Sequence, residues 1–120
     1  MPKRKLDPLP IAAFHILLSL ADEDRHGYGI MRQVADQTGG AMRLGPGTLY
    51  SSIQSLVEEK LIEEVGSRLD SKLDAKLGEE RRRYYRLTGA GRKLAGSEAD
   101  RLAGLLRLAR AKNILRGDYV

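Results

Sequence analysis

Leu44-Gly45-Pro46-Gly47-Thr48-Leu49-Tyr50-Ser51-Ser52-Ile53-Gln54-Ser55-Leu56-Val57-Glu58-Glu59-Lys60-Leu61-Ile62 decides the reading of this chain. Leu49, Ile53, Leu56 and Val57 recur at i, i+4, i+7 and i+8, the spacing of one apolar helical stripe. A proline at Pro46 suits a first helical turn, where its missing N–H costs nothing. The remaining positions, Thr48, Tyr50, Ser51, Ser52, Gln54 and Ser55, carry no charge for nearly three turns. A solvated helix face usually carries Lys and Glu. Hydroxyls, an amide and a phenol suit a helix laid against another polar surface, and the major groove of DNA is one such surface. An ordinary exposed, serine-rich helix is the alternative.

Working outward, three more helices and two strands emerge. Residues 1–8 form a basic tail broken by Pro2 and Pro8. A first helix from about Leu9 to Ala21 has Pro10 in its first turn and Ala13, Phe14, Leu17, Leu18, Leu20 and Ala21 on most of its sides. Asp22-Glu23-Asp24-Arg25 reads as a polar connection. A second helix runs from about Gly27 to Gln37, with Ile30, Met31 and Val34 inward, and Gly39-Gly40 stops it. The third helix ends near Lys60. Leu61–Val65 and Arg83–Leu87 read as two short strands, and Thr88 caps a last helix from about Gly89 to Leu115, roughly 40 Å at 1.5 Å per residue. Between the strands, residues 66–82 carry a near-repeat, Arg68-Leu69-Asp70-Ser71 then Lys72-Leu73-Asp74-Ala75. It is either one or two helical turns or a mobile loop.

The expected fold is mostly α with a small β-hairpin. It is a winged helix-turn-helix over 9–88, followed by a long C-terminal dimerisation helix over 89–120. The second and third helices form the helix-turn-helix, and the loop of the hairpin is the wing.

Composition narrows the function. One domain is the prior for 120 residues. The absence of Cys excludes disulfides, thiolate metal sites and thiol nucleophiles. No paired-His spacing, phosphate-cradling glycine loop or Ser-His-Asp arrangement stands out, so neither an enzyme nor a cofactor is expected. No apolar run approaches the ~20 residues of a membrane span, and no signal-peptide pattern follows the basic start. A cytoplasmic protein is the expectation. The net charge is +5 and lies wholly in the second half: residues 1–60 hold seven basic and seven acidic side chains, residues 61–120 fourteen and nine. This favours polyanion partners without being specific for them.

Four pieces, in order, make the chain resemble PadR-type transcriptional regulators over nearly its whole length. They are His26-Gly27-Tyr28-Gly29-Ile30; Gly47-Thr48-Leu49-Tyr50; Leu56 through Ile62; and Arg82-Arg83-Tyr84-Tyr85-Arg86-Leu87-Thr88 with Gly91. Each piece alone is weak, and their order and spacing are specific. The resemblance is to the short subfamily, with a single C-terminal helix. It implies a dimeric, DNA-binding and usually repressive protein of bacterial or archaeal type that releases DNA on a small-molecule or other signal. The chain departs from the pattern in its wing, which is longer than usual.

The resemblance implies that the third helix enters the major groove with its N-terminal end first. The helix N-terminus, with partial positive charge and free N–H groups, suits that role. Gly47, Thr48, Tyr50, Ser51 and Gln54 are the contact candidates, Gln54 being able to bond adenine in two places. Tyr50 could instead pack at the rim of the core against the first helix. Tyr28 is a candidate phosphate contact. Arg81, Arg82 and Arg83 at the return of the wing suit phosphate neutralisation or a minor-groove insertion; the alternative is pairing with Glu63, Glu64, Glu79 or Glu80, and one or two of the three are expected to be paired. Lys3, Arg4 and Lys5 form either a backbone-binding arm or a solvated tail. His26 is expected to help begin the second helix, and His15 to be satisfied in the core or an interface.

The last helix carries Leu94, Ala95, Ala99, Leu102, Leu105, Leu106, Leu108 and Ala109, a stripe wider than one small domain needs to cover, with Gly96 and Gly104 inside it. It is expected to pack on the first helix of a second copy through Phe14, Leu17, Leu102, Leu105, Leu106 and Ala109, giving a homodimer on a pseudo-palindromic operator in double-stranded DNA. An intramolecular cap over the first helix is the alternative. A groove lined by Phe14, Leu17, Leu102 and Leu106 could admit a small apolar effector of unknown identity, although the same residues serve equally as core. The rival function is a winged-helix module for protein contact without sequence-specific DNA binding.

Overall fold

The computed structural model describes residue 6, residues 8–67 and residues 83–115. Its elements are α1 (Ile11–Ser19), β1 (Arg25–His26), α2 (Gly27–Gln37), α3 (Pro46–Glu58), β2 (Ile62–Ser67), β3 (Arg83–Leu87) and α4 (Gly89–Ala111). Three helices pack around one another, β2 and β3 form the antiparallel base of the wing, and α4 leads away from it.

The core is aliphatic. Ile16, Leu17, Ile30, Val34, Leu49, Leu56, Leu61 and Ile62 are fully buried or within 1% of it. Each such side chain contributes about 1.5–3 kcal/mol by leaving water. The expected stripe of α3 holds for Leu49, Ile53 and Leu56, whereas Val57 is 37% exposed. At about 100° per residue, Val57 falls off the edge of the stripe that Ile53 and Leu56 define. On α1, Ile16 is buried and Leu18 and Ile11 are exposed, so the helix is less uniformly covered than its composition implied. Pro10 stands at its N-cap, one residue before the expected first turn. The expected tail is tied in at Leu6, which is 7% exposed and belongs to the core cluster.

Local signals set the helix ends. His26 Nδ1 accepts from the Gly29 N–H at 2.9 Å, which fixes the start of α2 as expected. Gly39 and Gly40 have φ of 61° and 84° after its end, a conformation glycine adopts without strain. His15 is half-buried, with Gln37 Nε2 donating to its carbonyl at 2.9 Å.

The sheet has three strands in the order β1-β3-β2, one more than the sequence led us to expect. The connection read from Asp22 to Arg25 ends in β1, where Arg25 pairs Tyr85 and His26 pairs Tyr84. A two-residue strand has no alternation to detect. β2 pairs β3 with Ile62 opposite Leu87, and the register shifts between Glu64 and Ser67, where Gly66 takes φ of 92°. Such a bulge re-aims the strand leading into the wing. The expected repeat in the wing lies outside the described residues.

Thr88 begins α4 by accepting from the Gly91 N–H at 3.0 Å, while its hydroxyl donates to the Lys60 carbonyl at 2.8 Å. Gly91 is pressed against the Leu61 carbonyl, and a Cβ there would also lie 2.8 Å from Leu87 Cδ1. Gly96 and Gly104, inside the apolar stripe of this helix, have nothing nearer than the tip of Arg107 within the chain. The close approach is at Gly91. Gly91→Ala should therefore lower the unfolding free energy by about 1–3 kcal/mol in urea melts, as overpacking does. Gly89→Ala, two residues away in open space, should change it by no more than about 0.5 kcal/mol.

Candidate nucleic-acid interface

α3 starts at Pro46 with Gly45 as an N-cap that makes no side-chain bond. The N–H groups of its first turn are therefore not consumed by a capping side chain, and they add to the positive end of the helix dipole. Nothing lies within 4 Å of where a Cβ would stand at Gly45 or Gly47. A flat, open backbone leads the helix. Behind it Thr48, Ser51 and Gln54 are exposed on one face, and the first charge is Glu58.

Tyr50 sits differently. It is half-buried and packs against the core, and its hydroxyl would be 2.6 Å from a Cβ at Gly27. The start of α2 at Gly27 is thus one of its packing partners. Gly27 is buried where the two helices cross, and the missing side chain makes room for the phenol. Tyr50 still reaches a groove of about 350 Å3 between α3 and the sheet, which Gln54, Glu58, Glu64 and Arg83 also line.

Arg83 is exposed on the face of β3 that it shares with Tyr85, with Nε 3.6 Å from Glu64 Oε1, the pairing weighed against its phosphate role. Both side chains are about half exposed, so the pair holds Arg83 weakly. Arg81, Arg82 and the Lys3-Arg4-Lys5 arm lie outside the described residues. The next wing-base arginine, Arg86, reaches Asp24 at 3.2 Å and ties β3 to the turn after α1. Tyr28 is 37% exposed at the start of α2. Sequence reasoning missed Arg32, whose guanidinium carbon lies 6.0 Å from the centre of the Tyr28 ring. The available signal was its position one helical turn after Tyr28.

On α4, Gly91 is the one buried residue. Leu105, Leu106 and Leu108 are 40–51% exposed, and Leu102 and Ala109 are half-buried. Two expected contact residues require correction. Leu17 is fully buried in the core and Phe14 is 7% exposed, so within one chain neither offers a surface to a second copy. Leu17 packs in the core cluster with residues of α2 and α3. Ile11 and Leu18 are the exposed apolar residues of α1. A groove of about 310 Å3 lies beside α4, lined by Leu6, Leu9, Leu94, Glu98 and Arg101. The hydrogen-bonded Arg101 guanidinium holds the Glu98 carboxyl below the usual carboxylate range.

Among the described residues, no helix is long and apolar enough to cross a membrane, and no three metal-ligating side chains cluster.

Residues 16–97 match the transcriptional regulator PadR-like family. An uncharacterised protein of Lysinibacillus sphaericus is 30% identical over 77 residues, which is 64% of each chain. The match thus spans just under two thirds of that relative's length. Among solved structures, a PadR family transcription regulator from Clostridium difficile superposes with a TM-score of 0.69 at 22% identity, covering 85% of this chain and 97% of that one. Bacillus subtilis PadR, solved in complex with operator DNA, superposes with a TM-score of 0.61 at 20% identity over 77% of this chain and 48% of that one. These likenesses are of fold. The family match covers more than half of the sequence, and on it the chain belongs to the PadR-like family of transcriptional regulators, a winged helix-turn-helix family of regulators and not of enzymes.

Proposed function

We propose that this chain is a homodimeric, sequence-specific repressor that lays two copies of α3 in the major groove of a pseudo-palindromic operator. The observation that carries the reading is the α3 face itself. An N-terminus without a side-chain cap leads three exposed, uncharged hydrogen-bonding side chains, Thr48, Ser51 and Gln54. Backbone N–H groups at a helix start suit phosphate oxygens, and an amide such as Gln54 suits the paired donor and acceptor of adenine. The operator complex of Bacillus subtilis PadR supports the reading by likeness of fold. Arg83, on the strand beside α3, serves the phosphates by exchanging Glu64 for DNA, and Tyr28 stands at the backbone-facing start of α2. Tyr50 acts chiefly by seating α3 on α2. Release by a small molecule or another signal follows from the family resemblance.

Dimerisation rests on α4. A helix of 23 residues with one buried position and three large exposed leucines is poorly covered by its own chain. Covering Leu105, Leu106 and Leu108 with a second copy, together with Ile11 and Leu18 of α1, removes that exposure.

Fluorescence anisotropy with DNA from upstream of the chain's own gene, against a scrambled duplex at two salt concentrations, tests DNA recognition. Binding should be selective and fall steeply with salt. Gln54→Ala should cost about 1–3 kcal/mol on the native duplex and much less on the scrambled one. Equal binding to both duplexes would favour a protein-interaction module. For the dimer, Leu102→Asp combined with Leu106→Asp should shift the sedimentation mass from two chains to one; a mass that stays at two chains removes α4 from the interface.

A further inference from the structure

We propose that Arg32 is a DNA-phosphate contact and that Tyr28 is the positioning residue that holds it. The inference rests on the DNA reading above and extends it to a residue outside the recognition helix. Helical side chains lean toward the N-terminus of their helix, so Arg32 is carried back over the turn that bears Tyr28. Its guanidinium carbon lies 6.0 Å from the Tyr28 ring centre, within reach of a cation–π contact.

Four of the described arginines are tied to carboxylates, whereas Arg32, like Arg43, Arg92 and Arg107, is not, and of these Arg32 is the one held against a ring. Arg25 is held by Asp22 and Glu23, Arg83 by Glu64, Arg86 by Asp24 and Arg101 by Glu98. Among the described residues Arg32 makes no ion pair, although Asp36 lines the same groove one turn further on. A carboxylate partner fixes a guanidinium and cancels its charge. An aromatic face fixes it and leaves the charge whole, which is what a phosphate contact requires.

The location agrees. Tyr28 also lines a cleft with Met31, Pro46 and Tyr50, so the ring that seats Arg32 stands beside the start of α3. The free cation and the positive end of the recognition helix are neighbours. In a helix-turn-helix the first of the two helices crosses the DNA backbone, so α2 is the element that meets phosphate.

The test measures anisotropy of labelled native and scrambled duplexes over a salt series, with intact chain carrying Arg32→Gln, Tyr28→Phe, Tyr28→Leu, or Arg32→Gln with Tyr28→Leu. Arg32→Gln should weaken both duplexes by the same factor and reduce the slope of log K against log salt by about 0.9 for each half-site. Tyr28→Phe keeps the ring and should bind as the parent does. Tyr28→Leu should weaken binding and add nothing in the Arg32→Gln background. All four variants are at exposed positions and should melt with the parent. An unchanged slope in Arg32→Gln, beside a parent that binds in a salt-dependent way, overturns the phosphate contact. Equal losses in Tyr28→Phe and Tyr28→Leu overturn the positioning role and assign the contact to the hydroxyl. A parent that binds neither duplex overturns the DNA reading itself, and this contact with it.

Discussion

The molecule turns on a stitch of backbone between residues 60–61 and 88–91. The Thr88 N–H donates to the Leu61 carbonyl at 3.1 Å, its hydroxyl donates to the Lys60 carbonyl, and the same oxygen receives the Gly91 N–H. Gly91 lies directly on the Leu61 carbonyl. Lys60, with φ of 61°, turns the chain out of α3 so that the Leu61 N–H can reach back to the Leu56 carbonyl at 2.9 Å. Three parts of the protein with different tasks meet here: the end of α3, the base of the wing and the first turn of α4.

That arrangement limits how these parts can move. On the proposed reading, the α4 interface and the α3 reading head share one short, glycine-dependent junction, so a rotation of α4 in a dimer would carry the end of α3 with it. In the proposed dimer, the spacing of the two α3 helices would follow from how α4 packs. The groove beside α4 at Leu6, Leu9 and Leu94 lies on the same helix, within two turns of Gly91. Coupling through such a junction needs no long pathway, because the two elements touch.

Much of this was legible in the sequence. The first-turn proline of α3, Pro46, and the Thr88 cap placed helix starts within a residue, because helix-start chemistry is local. The stop at Gly39-Gly40 was readable for the same reason. What failed was non-local. β1 exists because β3 comes to lie beside Arg25 and His26, and nothing within two residues announces that. Leu17 and Phe14 looked like interface residues because α1 is apolar nearly all round, and hydrophobicity does not say which partner covers which side. Tyr50 illustrates the same limit within the candidate site. Its place in the Gly47-Thr48-Leu49-Tyr50 piece was visible, but its packing depends on the absence of a side chain at Gly27, 23 positions earlier in the sequence. The Glu64–Arg83 pair was within the range of alternatives, because strand pairing brings neighbours of the hairpin together whatever the wing does.

On the proposed reading, charge divides the work between base reading and backbone binding. The net charge of +5 is modest, and most of the described arginines near α3 and the sheet already have carboxylate partners. A half-exposed pair such as Glu64–Arg83 holds by only ~0–1 kcal/mol, so a phosphate competes with it readily, but the exchange returns a bare carboxylate to the neighbourhood of DNA. A cation seated on a ring incurs no such cost. The exposed face of α3 from Thr48 to Gln54 stays uncharged, which spares it a strong non-specific pull on any phosphate it meets and leaves it to hydrogen-bond geometry. In that proposal, affinity comes from the flanks and discrimination from the middle. In that division a cation on α2 matters more than its share of the net charge, since it acts at the edge of the reading head without entering it.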